Sequence, residues 1–136
     1  MSVPKNGDSA MIESRTLDPK FQSEFSNGHH ASIADLPSEK GGSGQGFGPH
    51  DLLEAALATC MSMTAHLHAD KHGLPLRQAR CTVRIDRSNP AQATLEYRLH
   101  LEGPLTPEQS AELRQAVAQC PVSRTLTHPI RIVAQA

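Results

Sequence analysis

The order of elements in this chain predicts an α+β fold, and three features of the sequence carry that expectation. Strand-like alternation comes in blocks on either side of one long helical stretch, rather than in strict β-α-β succession. That stretch is rich in alanine and leucine and free of β-branched runs. A second helix further on is marked by its own capping residues. At 136 residues the chain is most naturally one domain, residues 1–136.

Met1 to Met11 is polar and turn-rich and is expected to fray. Glu13 to Thr16 reads as a short strand. Phe21 to Phe25 alternates apolar and polar residues, and Asn27-Gly28 follows as a strong hairpin signal. His30 to Asp35 returns as the partner strand, with Ala31 and Ile33 on one face, and Pro37 ends it. Leu36 to Gln45 is glycine-rich, but it has neither Gly-Lys-Ser/Thr nor G-x-G-x-x-G spacing. It is expected to be a flexible connection rather than a phosphate cradle.

The central helix is expected from Pro49 to His72, with Gly73 and Pro75 as stop signals. Leu53, Ala56, Leu57, Cys60, Thr64 and Leu67 recur at three- and four-residue steps, which assigns them to one inward face. Cys60 then sits mid-helix, either as a small hydrophobe filling a gap or as a shielded reactive thiol. His68 and His72 are one turn apart and have the spacing to share a metal. No glutamate follows His68 in the H-E-x-x-H manner, and Asp70 and Lys71 suggest a solvated face, so no metal site is expected. No Cys-x-x-Cys or Cys/His spacing points to one elsewhere.

Ala79 to Asp86 alternates, with Cys81, Val83 and Ile85 on one face as core residues. Ala93 to Leu101 alternates likewise, with Leu95, Tyr97, Leu99 and Leu101 together. Thr106, Pro107 and Gln109 form a capping box with proline at the first helical position. The helix they open runs through Leu113 and Val117 to about Gln119. Pro121 then suits the first turn of another helix, which makes Cys120 its N-cap. A thiolate there would be favoured by the positive end of the helix dipole. Ile130 to Val133 is expected as a closing strand.

Composition excludes several functions. Thirteen basic against fourteen acidic residues give a net charge of −1, which provides no footprint for nucleic acid or an anionic membrane. Apolar content is 38% and aromatic content 3%, so the core is modest and oligomerisation is a natural way to bury more. No apolar run approaches the ~20 residues that span a bilayer. The first residues lack the apolar region of a signal peptide. The expected compartment is the cytoplasm, where three cysteines do not make a structural disulfide framework.

Taken together, Gly48-Pro49-His50-Asp51-Leu52-Leu53-Glu54-Ala55-Ala56-Leu57-Ala58-Thr59-Cys60, followed roughly sixty residues on by Cys120-Pro121-Val122, resembles the OsmC/Ohr family. These are the osmotically inducible protein C and organic hydroperoxide resistance proteins. Asp35-Leu36-Pro37 and Leu101-Glu102-Gly103 add to the likeness, which covers about residues 21–133. The resemblance implies an OsmC-like fold, an intertwined homodimer and a cofactor-free thiol peroxidase acting on organic hydroperoxides. It makes Cys60 the peroxidatic cysteine and Cys120 the resolving one, with a lipoyl or thioredoxin-type dithiol as reductant. Hydroperoxide-reducing members use an arginine from an N-terminal strand, held by a glutamate just before the central helix. Arg15 is the only arginine before Cys60 and so the candidate partner of the thiolate. The glutamate position holds His50, with Asp51 beside it to orient the arginine. On one helix His50 and Cys60 stand ~15 Å apart along the axis. This departure resembles the broad OsmC-like branch, and it implies an alternative: a non-catalytic protein that binds a small hydrophobic ligand or senses redox state.

Overall fold

A computed structural model describes residues 11–18 and 20–135. The fraying expected for Met1 to Met11 falls, but for Met11, outside them. The chain divides into two compact units, the first ending at Leu52 and the second beginning at Leu53.

The first unit is built on a three-stranded antiparallel sheet of β1 (Glu13–Thr16), β2 (Ser23–Ser26) and β3 (Ala31–Ala34), in that order. The register sets Arg15 opposite Glu24 and Ser26 opposite Ala31. The β2–β3 turn is the one expected at Asn27-Gly28: the Asn27 side-chain oxygen accepts from the His29 and His30 N–H groups. Gly28 takes φ +92, a region open to glycine at little cost. β2 starts two residues later than its alternation suggests. The Leu17 N–H donates to the Gln22 carbonyl, which closes the β1–β2 turn and leaves Phe21 outside the ladder.

The glycine-rich loop is tied down, contrary to the flexible connection expected. Asp35, only 2% exposed, accepts backbone N–H groups from Gln45 at 3.0 Å and Ser43 at 3.4 Å, and the Gln22 amide at 3.4 Å. Those bonds hold the Asp35 carboxyl below its ordinary range, the Gln45 N–H foremost and against the opposing effect of burial. A side chain at Gly42 would meet the Leu36 carbonyl oxygen at 2.0 Å, so the wrap requires a glycine.

α1 (Pro49–His72) has the expected bounds. The Gly48 N–H donates to Asp51 Oδ2 at 2.9 Å and caps its start. Its end is a left-handed Gly73 at φ +65, with the Leu74 N–H returned to the Ala69 carbonyl. The buried stripe differs from the one expected. Leu57, Met61, Ala65 and Ala69 are buried, whereas Leu53 is exposed and Leu67 is 71% exposed. Small and apolar residues line nearly the whole circumference of this helix, so periodicity alone selects its inner face poorly.

In the second unit, β4 (Gln78–Asp86) and β5 (Thr94–Glu102) form an antiparallel pair in which Cys81 faces Leu99 and Ile85 faces Leu95. α2 (Pro107–Ala118) carries the complete capping box: Thr106 Oγ1 accepts from the Gln109 N–H, and Gln109 Oε1 accepts from the Thr106 N–H. Arg114 donates to the Leu99 carbonyl at 2.9 Å and holds α2 to β5. Leu113 and Val117 are fully buried. α3 (Pro121–Leu126) follows, with Cys120 as its N-cap. The strand expected at Ile130 to Val133 does not form. Within one chain this stretch finds no strand to pair with among the described residues, and Ile132 is 97% exposed.

Candidate active site

Cys60 lies midway along α1, half-buried, and packs against the core cluster of Leu57, Met61, Ala65, Val117 and Cys120. Cys120 is 0% exposed. It enters that cluster because α2 stops at Ala118 and Pro121 starts a new helix, which turns its side chain inward. The two thiols, both free, are near enough in this core for the Cys60 side chain to act directly on Cys120. Two sulfurs remote in sequence thus meet in an apolar environment.

The N-cap at Cys120 does not have the net effect expected of it. Burial pushes the Cys120 thiol up most strongly. The Ser123 N–H, 3.4 Å from Sγ, opposes that, and the neighbouring Cys60 side chain adds to the rise. The Val122 N–H gives a smaller opposing pull, and no cation is among the causes. Desolvation therefore outweighs the helix N-terminus, and Cys120 is held as the protonated thiol. Cys81 belongs to the same core. Burial raises its thiol as well, Cys120 adds to the shift, and its Sγ lies 3.7 Å from Met61 Sδ.

The other predicted residues lie in the first unit. Arg15 is engaged by Glu24 directly across the β1–β2 ladder, at 3.2 Å, with its side chain 68% exposed. Asp51 spends its carboxylate on capping α1. The Arg15–Asp51 pairing that the resemblance suggested is therefore not the one formed: each side chain has a nearer partner set by strand register or helix start. His50 is exposed in the first turn of α1.

The family match decides the lineage. The OsmC-like protein family matches residues 42–135, which takes in α1, all three cysteines and α3. The chain belongs to the OsmC-like protein family. No curated protein matches it at a significant level. The fold of this OsmC-like protein is shared by solved structures. The OsmC-like protein of Mycoplasma pneumoniae superposes with a TM-score of 0.72 at 22% identity, covering 89% of each chain. An organic hydroperoxide resistance protein from Legionella pneumophila gives 0.65 at 20% identity, over 90% of this chain and 91% of that one. The organic hydroperoxide resistance protein OhrB of Bacillus subtilis gives 0.59 at 17%, over 85% and 87%.

Beside the thiol cluster the OsmC-like chain has an open groove of about 500 Å³, lined by Leu57, Met61, Leu95, Tyr97, Ser123 and Leu126 among others. It shares Leu57 and Met61 with the core that holds Cys60 and Cys120. Sequence reasoning missed two acidic residues with defined tasks. Glu54 Oε2 accepts the Ile85 N–H at 2.8 Å, and Glu112 reaches His68 at 2.6 Å. Each contact spans more than thirty residues, a distance at which spacing along the chain gives no signal.

Proposed function

We propose that this OsmC-like chain is a thiol-dependent peroxidase for organic hydroperoxides, working in the cytoplasm as a homodimer. The approach of the Cys60 and Cys120 thiols within the apolar core carries the reading. Cys60 as thiolate attacks the O–O bond of the hydroperoxide and becomes a sulfenic acid, and the departing alkoxide takes up a proton to leave as the alcohol. The Cys120 thiol then condenses with the sulfenic acid, forming the disulfide and releasing water. A dithiol of lipoyl or thioredoxin type reduces that disulfide by two exchange steps and is itself oxidised. The groove along Leu57 and Met61 suits a greasy alkyl group. The exposed Leu67, Met63 and Ile132 are apolar surface of the kind a second copy would cover.

The test is consumption of cumene hydroperoxide by the full chain with dihydrolipoamide or dithiothreitol. Turnover by the wild type, lost in Cys60→Ser, is the expected result. An inactive wild type, or an active Cys60→Ser, overturns it.

Two observations favour a second reading, ligand binding without turnover. Arg15 is committed to Glu24, and no cation acts on Cys120. Under that reading a small apolar ligand copurifies with the protein, and its thiols resist peroxide.

A further inference from the structure

α1 and α2 bring together three side chains that the thiol chemistry does not use. His68 and His72, four residues apart on α1, present their rings side by side with centroids 4.2 Å apart. From α2, Glu112 places Oε2 2.6 Å from His68 Nε2. One donor atom from each of the three lies within 4.8 Å of the others. His68 is half-buried, while His72 and Glu112 are exposed.

We propose that His68, His72 and Glu112 form a binding site for a divalent transition-metal ion of the zinc class. The donor set is two imidazole nitrogens and one carboxylate oxygen, which suits Zn²⁺ and its neighbours rather than Ca²⁺ or Mg²⁺. Metal–nitrogen bonds of about 2.0–2.1 Å put adjacent tetrahedral ligands about 3.3 Å apart, so the three donors need only small side-chain rotations to converge. The ion takes the place of the direct His68–Glu112 contact. Three protein ligands leave at least one position for water. The ion therefore exchanges with solvent, and it ties the last turns of α1 to α2.

Histidine pairs at this spacing also occur on solvated helices without any metal. What distinguishes this pair is the third donor, supplied by a different helix and already aimed at His68 Nε2. The contact joins residues 44 positions apart.

The test is isothermal titration of tag-free full-length protein with Zn²⁺, repeated with His72→Ala and with Glu112→Gln. Both substitutions fall on exposed positions. Co²⁺ absorption reports the ligand type, because thiolate ligation gives strong charge-transfer bands and nitrogen and oxygen ligation does not. One equivalent bound per chain, without thiolate bands and weakened by at least about tenfold in each variant, is expected. No saturable binding, thiolate bands, or affinity unchanged in the variants overturns the site.

Discussion

Glu54 Oε2 accepts the backbone N–H of Ile85 at 2.8 Å, which fixes the early part of α1 against β4. Among the described residues β4 has a strand neighbour only in β5, and a helix side chain supplies this acceptor. Both groups are half-buried, and an unmet donor at such a place costs more than the bond itself contributes. Glu54→Ala is expected to lower stability by about 1–3 kcal/mol. Glu54→Gln, which keeps a carbonyl acceptor, loses less. Urea unfolding of the three proteins checks the order, and equal midpoints would leave Glu54 without this role.

The proposed mechanism gives the two thiols separable tasks. With Cys60→Ser, peroxide loss falls to the rate of the reductant alone. Cys120→Ser leaves the first step intact, so a Cys60 sulfenic acid accumulates and is trapped by dimedone at one equivalent per chain. Mass spectrometry after a peroxide pulse reads both. A wild-type pulse instead yields a Cys60–Cys120 disulfide, and a Cys60–Cys81 linkage would reassign the resolving thiol.

Burial, the dominant cause, raises Cys120 above the ordinary thiol value, which is 9.0. A group raised on folding contributes stability that is fully present below its unfolded value and is lost as pH rises through the folded one. Thermal stability is therefore expected to decline above about pH 8.5–9 in the reduced protein. The decline should be smaller in Cys120→Ala; Cys81, raised by burial in the same core, keeps some of it in place. Melting temperatures from pH 7 to 10 test this. At the acid end Asp35, lowered on folding by the Gln45 N–H above all, has the opposite sign. Its contribution is present above 3.8 and disappears as pH falls through the depressed value. Asp35→Asn should flatten the acid limb of the same profile.

Gly42 and Gly44 sit in one loop for different reasons. A Cβ at Gly42 would lie 2.0 Å from the Leu36 carbonyl oxygen, whereas at Gly44 nothing stands within 4 Å but φ is +65. Gly44→Ala should cost about 1–2 kcal/mol, the strain of a left-handed L-residue. Gly42→Ala should cost more, because backbone must move to make room. Differential scanning calorimetry of the two variants gives the order, and the reverse would mean that the loop relaxes freely around position 42.

The sequence by itself determined what local chemistry can determine. The bounds of α1 followed from Pro49 and Gly73, and the start of α2 from the Thr106–Gln109 box. The Asn27-Gly28 turn and the N-cap position of Cys120 followed in the same way. In each case the residues responsible are within a few positions of one another. Tertiary structure decided what depends on a partner from elsewhere in the chain. It turned the buried stripe of α1 onto Leu57, Met61, Ala65 and Ala69, and left Ile130 to Val133 without a strand partner among the described residues. It also gave Arg15 to Glu24 and brought Glu112 to His68. The balance at Cys120 was decided the same way. A proline after a cysteine announces a cap, but how far desolvation overrides the N–H donors depends on the number of apolar side chains packed around the sulfur. Only the folded chain fixes that number.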